Sequence, residues 1–515
     1  MFKDQPKGLI PAALSNMGER FGYYIMNAVL VLFLCSKFGL AEETAGIIYS
    51  VFYAGIYVLS LVGGLIADKT QNYKSTIIWG LIVMTLGYVV LAIPVFGDSF
   101  GSMGGILALT CVALFLIAFG NGLFKGNLQA IVGQLYDNPK YAAKRDSGFQ
   151  IFYVFINIGG LIAPFVAPML RSWWLEVNNM VYNADFPALC HQMLSVTDSM
   201  NMENANNFYA LVTAAAPEAG ITAQSTMEAV RAFCTEYLTV FNTGVHYSFI
   251  ASIAAMLISL TIFLCTKNGL PNPAKKEAVV SQGYTAEEKK QMADEIRQRM
   301  YALFAVLGIA VFFWWSFHQN GTSLSLFARD FVDTSSVAPE IWQAINPLFV
   351  ILLTPVIMLL FSSLSKRGKE ISTPRKIAYG MGIAALGYLF LVAICLVYNY
   401  PSGTEFRGIA ESVKATMKAG PWVLIFFYFF MTVAELFISP LGLSFVSKVA
   451  PKHMQGLCQG LWLGATAVGN LLLWVGPLMY NAWPLWTAWA VFAAVCALSM
   501  GTMFGMVRWL ERVTE

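Results

Sequence analysis

The chain has 515 residues, of which 57% are hydrophobic and only 12% charged, with a mean hydropathy of +0.62. A soluble globular domain carries about 25% charged residues, so this composition excludes one and points to a polytopic membrane protein. The small net charge of +3 gives no support for nucleic-acid binding.

Apolar segments fall at 11–37, 44–66, 74–96, 104–135, 147–170 and 245–266, and again at 300–328, 340–364, 374–398, 421–447, 455–480 and 484–508. Each is near the roughly 20 residues that cross a hydrocarbon core about 30 Å thick. They are too long for the short alternating strands of an outer-membrane barrel. The expected fold is all-α, with about twelve transmembrane helices in two six-helix bundles. We expect an N-terminal bundle over 1–267, a polar linker over 268–298 and a C-terminal bundle over 299–515. The short polar leader and long, polar-striped first segment do not read as a cleavable signal peptide.

Lysine and arginine set the orientation. They concentrate in the even-to-odd loops, at Lys69, Lys74, Lys140, Lys144, Arg145, Lys366, Arg367, Lys369, Arg375, Lys376, Lys448 and Lys452. Both termini are therefore expected in the cytoplasm, in a cell inner membrane. An insertion over 172–244 then lies on the outer face, with short helices expected at 206–216 and 222–240. Cys190 and Cys234 fall in it, and an oxidising compartment permits a disulfide between them as readily as two free thiols. The other cysteines, such as Cys35, Cys111, Cys395 and Cys496, sit in apolar segments and read as packing residues.

In chain order, the first segment carries Asn16, Glu19, Arg20, Tyr23, Tyr24 and Asn27 at helical spacing. An arginine at the centre of a membrane helix costs roughly 2.5–3.5 kcal/mol on insertion scales, so this face must meet partners or water inside the protein. The second segment contributes Tyr57 and ends in Gly63-Gly64-Leu-Ile-Ala-Asp68-Lys69. A glycine pair permits close helix approach. The fourth holds Gly120-Asn121-Gly122-Leu-Phe-Lys125-Gly126-Asn127. Lys125 lies too far inside to snorkel easily, which favours a cavity. The fifth reads Phe149-Gln-Ile-Phe-Tyr153-Val-Phe-Ile-Asn157-Ile-Gly159-Gly160.

The second half of the chain supplies Trp314-Trp315-Ser-Phe-His318-Gln319, Asn346-Pro347, Glu435-Leu-Phe-Ile-Ser439-Pro440 and Gln459-Gly460-Leu-Trp462. With Glu19-Arg20-Phe21, Lys125 and the Asn157-x-Gly159-Gly160 pattern, these motifs resemble the proton-dependent oligopeptide transporter family of the major facilitator superfamily. The resemblance spans nearly all the transmembrane segments and leaves out 172–244. It implies that Asn346 and Glu435 hold a peptide amino terminus, that basic residues of the first and fourth segments hold its carboxylate, and that Tyr24, Tyr57 and Trp462 line side-chain pockets. Asn27, Trp315, His318 and Ser439 complete the expected substrate site. Glu19, Arg20, Lys125, His318 and Glu435 are the expected proton-coupling set. Asn157, Gly159 and Gly160 are expected to position helices.

The chain departs from the family pattern in three places. Asn16 stands where the family's Glu-x-x-Glu-Arg has its first acid. Asn27 stands where many bacterial members have an arginine, and His318 where they have an acid. Those two charges can pair as an outer gate. Losing one would strand a buried charge at about 3–5 kcal/mol, whereas losing both leaves two polar groups that can bond. Two expectations follow: Lys125, helped by Arg20, is the main carboxylate anchor, and His318 either titrates during the cycle or is a neutral group bonded to Asn27 or a neighbouring helix.

The expected function is import of di- and tripeptides by alternating access, with proton symport favoured over uncoupled transport because Glu19 and Glu435 remain. The driving force is the proton gradient; no cofactor or metal is expected, and the protein is expected to act as a monomer in the lipid bilayer. Two other readings stay open: a carrier of another small anionic or zwitterionic solute, and a non-transporting nutrient sensor. An enzyme is not expected, because four histidines without metal-ligand spacing and no nucleophile motif offer no catalytic set.

Overall fold

The computed structural model describes residues 4–94, 102–183, 186–195, 202–271, 286–333, 339–409 and 411–514. Within them the helices run α1 Leu9–Phe38, α2 Glu42–Thr70, α3 Tyr73–Ala92, α4 Met103–Gln134, α5 Pro139–Ala142, α6 Arg145–Val177, α7 Phe186–Ser195, α8 Met202–Ala215 and α9 Met227–Thr266. They continue as α10 Ala286–Phe317, α11 Ser323–Phe331, α12 Pro339–Lys366, α13 Thr373–Val397, α14 Gly403–Arg407, α15 Glu411–Met417, α16 Trp422–Val449, α17 Gln455–Leu471, α18 Val475–Ala482 and α19 Leu485–Thr514. Twelve spans among the described residues are long and apolar enough to cross a membrane. The fold is that of the expected all-α polytopic protein.

Local chemistry sets several boundaries. Asn72, Ser102 and Thr226 cap α3, α4 and α9 by accepting a backbone N–H with their side chains. Gly39 ends α1 in a left-handed conformation, φ +65°, that a glycine adopts without strain. Two helices outrun their apolar segments. At about 1.5 Å per residue the 40-residue α9 is about 60 Å long, twice the hydrocarbon thickness. Its first turns therefore stand outside the bilayer and carry α7, on which α8 packs as a cap, so the expected helix at 222–240 is fused to the sixth span. Likewise α10 starts at Ala286, inside the expected linker, where Arg299–Glu295 and Arg297–Asp294 pair along the helix. Most of the rest of that linker, 272–285, lies outside the described residues.

Cys190 on α7 and Cys234 on α9 are both buried free thiols, and they hydrogen-bond each other. The expected alternative of a formed disulfide is therefore not what the structure holds. That bond, together with burial, pushes the Cys190 thiol up from its ordinary value.

Packing divides the spans into two groups. α1, α2, α3, α4, α6 and α9 pack on one another, as do α10, α13, α16, α17 and α19 with α12 against α16. Glycine permits the closest approaches: a Cβ on Gly63 would collide with the Gly122 carbonyl, and one on Gly64 with the Gly456 carbonyl across the two groups. α2 meets α17, and α6 meets α12 and α16, so the central space is enclosed from both halves.

Candidate functional site

A cavity of about 480 Å³ lies between the two bundles. Its wall has a cationic side and an acidic side. Arg20, Tyr24 and Asn27 of α1, Tyr53 and Tyr57 of α2, and Lys125 and Gln129 of α4 form the first. Trp314, His318, Asn346, Glu435, Ser439 and Trp462 form the second. The proline helices border it: Pro164 in α6 and Pro347 in α12 line the wall. A helix-interior proline frees the carbonyl four residues back, here that of Gly160, which is also in the wall.

On the cationic side, Arg20 binds Glu19 through two contacts, Nε to Oε2 at 2.6 Å and Nη2 to Oε1 at 2.5 Å. Asn121 Nδ2 donates to the same carboxylate at 2.7 Å. Glu19 has no exposed surface and is not in the wall; it holds Arg20 from behind. The guanidinium also lies 4.6 Å from the Tyr23 ring centre. Lys125 has no carboxylate partner among the described residues, and its nearest aromatic is Tyr57, with Nζ 5.7 Å from the ring centre. An ammonium directed into a cavity without a counter-charge is a ready site for an anion.

On the acidic side, Glu435 accepts from Tyr153 Oη at 2.5 Å and from Asn346 Nδ2 at 2.8 Å. Asn346 Nδ2 also reaches Thr432 Oγ1 at 3.0 Å. No cation pairs with Glu435 among the described residues, so a ligand ammonium would be its first. Tyr153 comes from the N-terminal bundle and Glu435 from the C-terminal one, so this hydrogen bond crosses the interface. Trp462 packs on α16 where Gly442 leaves room; a Cβ there would strike its ring.

His318 follows α10 in a short 3-10 turn, His318–Gly321. Its Nδ1 donates to Asn470 Oδ1 at 2.6 Å, and its ring stacks on Trp314 with centres 5.1 Å apart. Its partner is therefore α17 and not Asn27. Trp315, an expected wall residue, turns away: its Nε1 donates to the Leu472 carbonyl at 2.8 Å and its ring packs on Phe492. Trp314 takes the place because it lies one turn before His318 on the same helix face. Asn157 and Gly160 are in the wall, whereas Gly159 packs against α1, next to the Met17 carbonyl. Asn16 is buried in α1 outside the wall.

The sequence reading missed Tyr53, Gln129, Tyr153 and Trp314. Each sits four residues from a residue it did select, namely Tyr57, Lys125, Asn157 and His318, so helical spacing was an available signal.

Below the cavity, toward the chain ends, the bundles are tied together. Asp146 of α6 accepts from Lys376 Nζ at 2.8 Å, Lys448 Nζ at 3.1 Å, Ser444 Oγ at 2.6 Å and Thr373 Oγ1 at 3.0 Å. Arg145 Nη1 donates to the Ser447 carbonyl at 3.1 Å. Asp68 accepts from the backbone N–H groups of Gly456 at 3.0 Å and Leu457 at 2.7 Å, at the start of α17, and from the Tyr73 hydroxyl.

A model of the POT family (PTR2) matches residues 74–284 and 273–483, well over half the chain. The chain belongs to that family. Its members are transporters and not enzymes. Among similar proteins, the dipeptide and tripeptide permease B of Shigella dysenteriae is 26% identical over 474 residues, covering 91% of this chain and 86% of the permease. The peptide transporter YePEPT of Yersinia enterocolitica is 28% identical over 492 residues, covering 91% and 87%. The crystal structure of a POT family transporter with 5-aminolevulinic acid aligns over all of this chain and 98% of its own, with a TM-score of 0.60 and 20% identity.

Proposed function

We propose that the protein imports di- and tripeptides by proton symport, through alternating access of its two bundles around the central cavity. One observation carries this reading: one cavity between the bundles presents Lys125, which has no carboxylate partner among the described residues, with Arg20 on one wall and Glu435 on the other. A zwitterionic peptide needs that polarity, and a site between two halves suits rocking motion. Tyr24, Tyr57, Trp462 and Ser439 then border the side chains, which a roomy aromatic wall tolerates. The names of the permease relatives support the substrate class. The rocking units in this reading are residues 1–267 and 299–515, joined through 268–298, and each monomer is a complete transporter.

Proton coupling is assigned to the Glu19–Arg20 pair, Lys125 and Glu435. Glu435 can exchange its Tyr153 and Asn346 donors for a peptide ammonium, and a proton on it would release that ammonium. The chain ends face the cytoplasm of the inner membrane in this reading, which puts the Asp146 and Asp68 ties on the inner side and the α7–α8 cap outside. The conformer described is then closed inward.

The test is uptake of a labelled dipeptide into proteoliposomes of the purified protein, with and without an inward proton gradient. Accumulation above equilibrium only with the gradient is expected. Equal, non-concentrative uptake in both would overturn coupling, and uptake that no dipeptide competes would overturn the substrate class.

A further inference from the structure

The family reading leaves a second cavity unexplained. It measures about 330 Å³ and lies at the mouth formed by the chain-end sides of both bundles. Arg145 and Asp137 enter it from the N-terminal bundle; Arg299, Lys448, Lys452 and Gln455 enter it from the C-terminal one. Among the described residues its charge does not close. Arg145 pairs with Asp137 at 2.7 Å, Arg299 with Glu295 at 2.7 Å, and Lys448 shares Asp146 with Lys376. Lys452 is exposed and has no anionic partner among the described residues. Four cations, Arg145, Arg299, Lys448 and Lys452, thus line one space whose only carboxylate among the described residues is that of Asp137. Arg145 and Lys448 are also largely buried, with side chains 10% and 25% exposed, so water screens their repulsion poorly.

We propose that this pocket is a regulatory site for a phosphate-class anion, supplied either by the headgroup of an acidic phospholipid or by free phosphate. Arginine and lysine together are the usual donors to phosphate oxygens, and basic pockets between spanning helices at a membrane surface accept acidic headgroups. Both bundles contribute to the pocket, so it is complete only while they are apposed on this side. An anion bound there stabilises that conformer and disfavours opening toward the chain ends. This coupling rests on the alternating-access reading; the binding itself does not.

Native mass spectrometry of the purified full chain tests the binding, with inorganic phosphate in one arm and phosphatidylglycerol in the other. An adduct in either arm is expected, reduced at least several-fold in Lys452→Gln and in Arg299→Gln. The arm that shows it identifies the source. An adduct equal in wild type and both variants, or none in either arm, overturns the proposal. Asp68→Asn tests the coupling, because it loosens the Asp68 tie to α17 while every cation of the pocket stays in place. It is expected to lower adduct occupancy; occupancy unchanged in Asp68→Asn would overturn the coupling while leaving the site. Neither readout requires peptide transport, so failure of the transport reading is separately visible.

Discussion

Asp146→Asn is the sharpest test of how this molecule is held closed. The substitution keeps the shape of the side chain and its bonds to the Ser444 and Thr373 hydroxyls, and removes the charge that two lysines share. The Asp146 side chain is 16% exposed, and those of Lys376 and Lys448 are 11% and 25% exposed. Removing one partner of a fully buried pair costs about 3–5 kcal/mol. Lys448 keeps a 2.6 Å bond to Thr373 Oγ1 and both lysines can turn partly to water, so we take about 2–3 kcal/mol. That energy belongs to the conformer in which α6 meets α13 and α16, and is absent once the bundles part. At about 1.4 kcal/mol per tenfold, the ratio of closed to open on the chain-end side should fall roughly 30- to 150-fold. Spin labels placed on α5 and just before α17 would read this as a shift of the inter-bundle distance distribution to longer values, with thermal unfolding as the control for folding. A distribution in Asp146→Asn that superposes on the wild type, in a folded protein, would refute the reasoning.

Lys125→Ala should abolish peptide uptake and weaken binding at least tenfold, the scale of one lost charge-assisted hydrogen bond at about 1.5–3 kcal/mol; equilibrium binding of a dipeptide checks it, and wild-type affinity would remove Lys125 from the site. Glu435→Gln should lose affinity for a free dipeptide more than for its N-acetylated analogue, because only the former offers an ammonium; competition assays with the two ligands read the difference. His318→Gln should leave the pH profile of uptake where it is, since Nδ1 is already committed as a donor to Asn470 and the ring is stacked on Trp314; a displaced profile would restore the histidine as a titrating group. Gly122→Ala should lower the melting temperature in detergent, because its Cβ would collide with the Leu59 carbonyl and overpacking costs about 1–3 kcal/mol.

Much of this architecture is legible in the sequence because a membrane imposes a simple rule. Each span must be apolar and long enough, and every intramembrane charge needs a reason. Hence the twelve spans, and hence Arg20, Lys125 and Glu435 in one cavity. What was not legible depends on direction and depth. Trp314 and Trp315 are adjacent and chemically identical, and only the rotation of α10 decides that the first faces the cavity. Glu19 reads as a wall residue by spacing, yet it sits behind Arg20 because Asn121 of another helix reaches its carboxylate. The outer half of α9 reads as a separate short helix, and its continuity with the sixth span shows only in the structure, where its stripe of Val230, Phe233, Tyr237 and Phe241 is buried and α7 packs on it. The Asp146 cluster joins residues 227 to 302 positions apart, a separation that no local pattern encodes.

The distribution of charge gives the conformer a physical cause. On the chain-end side, Asp146, Arg145 and Asp68 each bond across the bundle interface. On the opposite side, where the family resemblance leads one to expect an arginine–acid gate, Asn27 carries no charge and His318 is held by Asn470 within its own bundle. Ion pairs therefore favour closure toward the chain ends, with no charge pair between Asn27 and His318 to oppose it. Such a protein should rest with its cavity accessible from the α7–α8 side and need substrate, protons or both to leave that state. Restoring the gate with Asn27→Arg and His318→Glu together should add an opposing tie, shift the resting distances on the chain-end side toward the open form, and do so more than either single change, because each alone strands a charge. If the double variant rests as the wild type does, the asymmetry of charge is not what sets the resting conformer.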